Sequence, residues 1–226
     1  MIYKIYKRLL CKYSHNKINM NCKIIALKQK YKKSKKINKK LKQKLNEIEI
    51  YDKHGCKILF RDLIKYKTNY EVLPGNTDLI NELYNIALKV QHYQIFNNNN
   101  EYNGRVNEFG NYMEKLFNIC DKNIVNPLTT SNKSQSAGYP DKELKGLYPA
   151  YIEVKICKIG SEESSFRSFY LSTFNKITKN NPHILVCFPH KDKKLYLEHK
   201  PKIIDLYNLQ LELKAEYNAN NKILYK

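Results

Sequence analysis

The sequence predicts an α/β fold, because helical patterns precede strand patterns along a single chain of 226 residues. Hydrophobic residues make up 42% of the chain, which is enough for one large domain with a buried core. A strand pattern at residues 151–156 is the clearest of the sheet signals. We therefore expect a central sheet with this strand at its middle and helices on both faces.

Two segments have the spacing of amphipathic helices. Residues 77–94 follow a Pro-Gly-Asn turn, and their apolar positions Leu79, Leu83, Ile86 and Val90 recur at three- and four-residue steps. Residues 105–120 repeat this spacing. Both segments should pack an apolar stripe against the sheet.

Strand signals dominate after residue 150. Residues 151–156 alternate, so that Ile152, Val154 and Ile156 share one face while Tyr151, Glu153 and Lys155 share the other. Residues 183–188 form an apolar run typical of a buried strand. Residues 126–140 are rich in Ser, Thr, Asn, Gly and Pro, which predicts a loop.

The charge is concentrated at the N-terminus. The chain has 41 Lys and Arg against 21 Asp and Glu, a formal charge of +20, and residues 1–46 contain 16 of the basic side chains and no acid. This predicts a basic helical arm at 1–46 and a domain of nearly balanced charge at 47–226. Lys32, Lys35 and Lys39 of the arm are expected to contact DNA phosphates. A solvated helix packed on the body is the alternative.

Export, a membrane span and a zinc site are not expected. Lys4, Lys7 and Arg8 interrupt the N-terminal apolar residues, so a secretory signal is excluded. No run of about eighteen apolar residues occurs. The six cysteines are scattered without a CxxC pair, which favours a reduced, intracellular and cytoplasmic protein.

One pattern carries chemistry. Asp141 follows Pro140, and Glu153 and Lys155 come after eleven intervening residues. Mg²⁺ is usually held by one or two carboxylates together with water and phosphate, so Asp141 and Glu153 are candidate ligands. Lys155 follows Glu153 by two residues and therefore lies on the same face of the predicted strand, where it could orient an attacking water. The other ExK triplets, such as Glu143 with Lys145 in a turn-prone stretch, are weaker candidates.

These residues resemble the signature of the PD-(D/E)XK nuclease superfamily, which includes most Type II restriction endonucleases. The resemblance covers about residues 105–190. It implies a central mixed β-sheet flanked by helices, a restriction-endonuclease-like fold, and magnesium-dependent cleavage of double-stranded DNA that leaves 5′-phosphate ends. Gly110-Asn111 followed by Glu114 is similar to the helix acid of these enzymes. The resemblance therefore adds Glu114 to the catalytic residues, with Glu108 as its substitute, and a homodimer is expected.

Polar loops on both sides of the motif are expected to contact DNA bases. The residues concerned are Lys133, Gln135 and Ser136 before it and Ser164, Ser165, Arg167 and Ser168 after it. An ordinary solvated loop is the alternative for each.

Two other functions remain open from the sequence. A repair, recombination or junction-resolving nuclease of the same superfamily would carry the same residues. A non-enzymatic basic protein that binds nucleic acid would explain the charge. The second alternative does not require carboxylates on a DNA-facing sheet, because they repel phosphate unless a metal intervenes.

Overall fold

The computed structural model describes residues 57–97, 99–161, 167–171, 173–213 and 217–224. The expected basic arm, with Lys32, Lys35 and Lys39, lies outside the described residues, and so do Ser164 and Ser165. The elements of the described part are β1 (Lys57–Leu59), α1 (Phe60–Thr68), β2 (Val72–Leu73), α2 (Thr77–Asn97), α3 (Val106–Cys120), β3 (Ile124–Val125), β4 (Lys142–Leu144), β5 (Ala150–Lys158), β6 (Arg167–Leu171), β7 (Asn181–His190), β8 (Lys202–Asp205), β9 (Gln210–Leu213), β10 (Tyr217–Asn220) and α4 (Asn221–Leu224).

The larger of the two sheets in the described part of the chain is mixed and has β5 near its middle. Its strands follow the order β2-β7-β5-β4-β3, and β8 pairs with β7. Strands β5 and β7 run parallel from Tyr151 opposite His183 to Lys158 opposite His190, whereas β4 is antiparallel to β5. The predicted mixed sheet with a central strand at residues 151–156 is therefore confirmed.

One face of this sheet packs against α2 and α3. Ile152, Val154, Ile184 and Val186 form a single buried cluster with apolar side chains of both helices. The side chain of Asn76 accepts a hydrogen bond from the backbone N–H of Leu79 (2.8 Å), which satisfies a free donor in the first turn of α2. The two helices predicted from apolar spacing are present, and their stripes meet the sheet as expected.

Aromatic side chains cover the opposite face. The rings of Phe60, Tyr139, Phe169 and His183 pack together, with ring centroids 5.3 to 6.2 Å apart. Phe60 begins α1, and Phe169 lies on β6. A helix and a strand of the second sheet thus share this face. The helix agrees with the prediction of helices on both faces, and the strand adds to it.

The second sheet is antiparallel and was not predicted. Its order is β1-β9-β10-β6, so it joins the start of the described chain to its C-terminal segment. Arg167 and Ser168, which we expected in a polar loop, begin β6 instead. Among the helices of the described part, none is long and apolar enough to cross a membrane.

Candidate active site

The turn at residues 138–141 brings Asp141 to the edge of β5. The backbone N–H of Asp141 donates to the carbonyl oxygen of Ile152 (3.1 Å). Its side-chain oxygen Oδ2 accepts a hydrogen bond from the backbone N–H of Val154 (2.9 Å). Because these two bonds flank Glu153 in the chain, they hold the Asp141 carboxylate beside that residue.

Glu153 and Lys155 lie together on the aromatic-covered face of β5. Lys155 Nζ is 2.6 Å from Glu153 Oε1, and the side chains are 26% and 5% exposed respectively. The strand returns every second side chain to the same face, which explains the contact. The structure thus brings Asp141, Glu153 and Lys155 into one group, as the sequence predicted.

Burial and neighbouring charges shift the pKa values of Glu153 and Lys155. Burial raises the pKa of Glu153 to about 8, the charge of Asp141 adds to this shift, and Lys155 opposes it. Asp141 therefore lies close enough to Glu153 for its charge to act on that carboxyl group. For Lys155, burial favours the neutral amine, but the charges of Glu153 and Asp141 prevail and the pKa lies above its usual value.

Glu114 and its alternative Glu108 have different surroundings. Burial raises the pKa of Glu114 to about 7, with the charge of Asp141 as the next cause, so this carboxyl is within electrostatic reach of the site. Glu108 is bound at the start of α3, where it accepts hydrogen bonds from the backbone N–H (2.9 Å) and from Nε (3.0 Å) of Arg105. Of the two acids, Glu114 is therefore the one within electrostatic reach of the site, whereas Glu108 is bound to Arg105.

Two buried lysines near the site were missed by sequence reasoning. Lys142 donates to the side-chain oxygens of Asn118 (2.7 Å) and Asn126 (2.6 Å). Lys176 donates to the carbonyl oxygens of Gly138 (2.7 Å) and Pro140 (2.9 Å). The only sequence signal for Lys176 is its place between the apolar residues Phe174 and Ile177. The chain is so rich in lysine that this signal did not stand out.

We expected Glu143 to lie in a turn, but the structure places it in a strand. It lies on β4, where it is 7% exposed, and it pairs with Lys179 (2.5 Å). The Glu143 and Lys145 pair remains the weaker ExK candidate, since its acid pairs with a lysine outside the triplet, whereas Glu153 pairs with the lysine of its own triplet.

The loop before the motif contains a tight hairpin. Leu128 and Ser134 form an isolated bridge, and the backbone N–H of Thr129 donates to the carbonyl of Lys133 (3.0 Å). Lys133 and Ser136 are exposed, whereas the amide of Gln135 donates to the carbonyl of Ala137 (2.7 Å). Lys133 and Ser136 are thus exposed and available for contact with DNA. The side chain of Gln135, in contrast, already forms a hydrogen bond within the loop.

The donor set fits a hard cation held by few protein ligands. Among the described residues, no group of three His, Cys, Asp or Glu side chains is arranged to hold a metal ion. Glu153 Oε2 is buried and has no hydrogen-bond partner in the described chain, so a carboxylate oxygen is left to bind something else. Two neighbouring carboxylates are what Mg²⁺ commonly takes from a protein. Asp141 and Glu153 therefore fit a magnesium ion.

The chain resembles known restriction enzymes over most of its length. Residues 50–226 match the family model of the Type II restriction enzyme MjaV family. The Type II restriction enzyme MjaV of Methanocaldococcus jannaschii is 32% identical over 200 residues, which is 75% of this chain and 86% of that relative. No solved structure matches the chain. The matched residues include the entire candidate site.

Proposed function

The chain belongs to the Type II restriction enzyme MjaV family, and we propose that it is a sequence-specific endonuclease that hydrolyses phosphodiester bonds of double-stranded DNA. We propose further that Mg²⁺ is its cofactor and that the cut leaves 5′-phosphate ends. The observation that carries the proposal is the convergence of Asp141, Glu153 and Lys155 at one point of the sheet.

Asp141 and Glu153 are the residues that would hold Mg²⁺. The Asp141 carboxylate is held beside Glu153 by its bond to the backbone N–H of Val154, and its negative charge contributes to the raised pKa of Glu153. When bound, Mg²⁺ polarises a phosphoryl oxygen and acidifies water. Without a cation the two carboxylates would repel a DNA phosphate, which makes a purely binding role for this face unfavourable.

Lys155 is the cationic residue of the proposed site. It is largely buried and remains protonated because Glu153 and Asp141 raise its pKa. A fixed ammonium at this position can orient the attacking water by donating a hydrogen bond, and it can offset negative charge that develops on the phosphate. Glu114 adds a further carboxyl from α3 whose protonation near neutral pH is sensitive to the same charges.

DNA contacts are proposed for the hairpin before the site and for the arm. The exposed Lys133 and Ser136 can reach a duplex, and Lys133 suits guanine or a phosphate. A homodimer is also proposed, because two copies related by a two-fold axis can cut both strands of a palindrome symmetrically.

The test is to incubate the purified full chain with mixed plasmid DNA, with and without Mg²⁺, and to sequence the fragment ends. We expect one recurring sequence at the ends, 5′-phosphates, and no fragments when Mg²⁺ is omitted. Binding without cleavage would instead indicate a non-enzymatic DNA-binding protein. Cleavage set by DNA structure and independent of sequence would indicate a repair or junction-resolving nuclease.

A further inference from the structure

The turn at residues 138–141 is held from both sides. On one side the hydroxyl of Tyr139 bonds to Nδ1 of His183 (2.6 Å), and the two rings stack with centroids 5.6 Å apart. Burial lowers the pKa of His183 to about 3, so this imidazole is neutral. Its Nδ1 can therefore accept a hydrogen bond from the Tyr139 hydroxyl. On the other side the turn meets the chain at residues 173–176.

Lys176 makes the main polar contact on that second side. Its side chain is buried, with 2% of the residue exposed, and Nζ donates to the carbonyl oxygens of Gly138 and Pro140 at 2.7 and 2.9 Å. These carbonyls precede Asp141 by three residues and by one. Two of the three donors of the ammonium group are therefore used on the backbone that presents the carboxylate.

Gly138 is packed closely against the same segment. A Cβ at this position would lie 1.9 Å from Thr173 Oγ1, and the φ angle of +90° is one that L side chains rarely adopt. The turn is thus packed closely against residues 173–176 at Gly138, and the bonds from Lys176 oppose its movement away from them.

Burial of the Lys176 ammonium group costs solvation free energy, and hydrogen bonds to two neutral carbonyls do not by themselves compensate for that cost. Desolvation lowers the pKa of Lys176, while the charges of Asp141, Glu153 and Glu114 oppose the shift, so the ammonium lies within electrostatic reach of all three acids. A buried charge between neutral carbonyls is unfavourable unless nearby negative charge compensates for it. The site carboxylates supply that charge.

We propose that Lys176 is a positioning residue, which fixes the direction of the Asp141 carboxylate toward Glu153 by holding the carbonyl oxygens of Gly138 and Pro140. The inference rests on the proposed function, because it takes Asp141 as a ligand of the catalytic metal. Residues that orient a metal ligand commonly change metal affinity or activity by about 10- to 100-fold when they are replaced. In this proposal Lys176 acts through the turn, by its hydrogen bonds to the two backbone carbonyls.

The experiment compares Lys176→Met and Lys176→Gln with the matched control Lys179→Met in the full-length chain. Lys179 lies in the same segment but pairs with Glu143, so its replacement also removes one positive charge without affecting the turn. Binding of Mn²⁺ alone, a cation that carboxylate sites also accept, is measured by electron paramagnetic resonance in the absence of DNA. Thermal unfolding is recorded for each variant.

We expect Lys176→Met to bind Mn²⁺ about 10- to 100-fold more weakly than the wild type. Lys176→Gln should lose less, since its amide can still donate to one carbonyl, and Lys179→Met should bind as the wild type does. Cleavage by the Lys176 variants should recover in part at higher Mg²⁺ concentration, with the KM for DNA unchanged. Should Lys176→Met fail to fold, the folded Lys176→Gln variant decides the question.

Unchanged Mn²⁺ affinity in a folded Lys176 variant would overturn the inference. Asp141→Asn separates this failure from failure of the proposed function. If Asp141→Asn loses Mn²⁺ binding while the Lys176 variants retain it, Asp141 is a ligand but Lys176 does not position it. If Asp141→Asn binds Mn²⁺ as the wild type does, the metal site itself is wrong.

Discussion

The two faces of strand β5 use neighbouring residues for opposite purposes. Ile152 and Val154 point into an apolar core with α2 and α3, where burial alone stabilises them. Glu153 and Lys155 point to the other face, where burial raises the energy of the carboxylate. Because successive side chains of a strand point to opposite faces, β5 carries core residues on one face and the proposed catalytic residues on the other. Replacements on the two faces should therefore have different consequences.

The largest effect is expected at Asp141, on the chemical side. Asp141→Asn keeps an oxygen that can accept the hydrogen bond from Val154 but removes the charge. Cleavage should fall by more than about 100-fold, since even residues that only orient a ligand reach that value. The melting temperature without Mg²⁺ should change little, because the lost repulsion with Glu153 is offset by the lost attraction to Lys155 and Lys176.

The matched replacement on the core side is Ile152→Ala. Ile152 is fully buried, so the free energy of unfolding should fall by about 2 to 5 kcal/mol, as measured by urea denaturation. Cleavage by the molecules that remain folded should change little. A loss of cleavage as large as that of Asp141→Asn in folded Ile152→Ala would contradict the separation of the two faces.

A smaller effect is expected from pH. The pKa of Glu153 is about 8 in the folded chain and 4.5 for the unperturbed group, so the folded state retains a proton that the unfolded state releases. Stability without Mg²⁺ should therefore decrease as pH rises from about 4.5 to about 8. Glu153→Gln should flatten the profile, and an identical slope in wild type and variant would mean that Glu153 does not cause it.

The same contrast explains how much the sequence predicted. Periodicity identified α2, α3 and β5 because each buries a regular apolar face, and a continuous apolar run identified β7, which is buried on both faces. Asp141, Glu153 and Lys155 were predictable because they lie close in sequence and share a strand or the turn beside it. The chain length and the abundance of Asn, Ile, Lys and Tyr, which is typical of proteins from AT-rich genomes, also suggested a likeness to the rare-cutting enzyme SwaI. The family match does not test this finer likeness, which stays a prediction.

The parts that escaped prediction depend on long-range contacts. The second sheet pairs Lys57 with Glu212 across most of the chain, and strands of three to five residues carry little periodic signal. Lys176 holds a turn 36 residues earlier in the sequence. A buried lysine cannot be told from a surface lysine by its neighbours when the chain has 41 Lys and Arg.

The central claim is that Asp141, Glu153 and Lys155 form the catalytic centre, and the measurement that tests it most directly is single-turnover cleavage by Lys155→Ala. The substrate is a duplex that carries the sequence identified from the fragment ends, and its affinity is measured in parallel. We predict nearly unchanged affinity, because Lys155 is one of 41 basic residues, and a cleavage rate lower by about 10²- to 10³-fold. A folded Lys155→Ala protein that cuts this duplex at the wild-type rate would contradict the account.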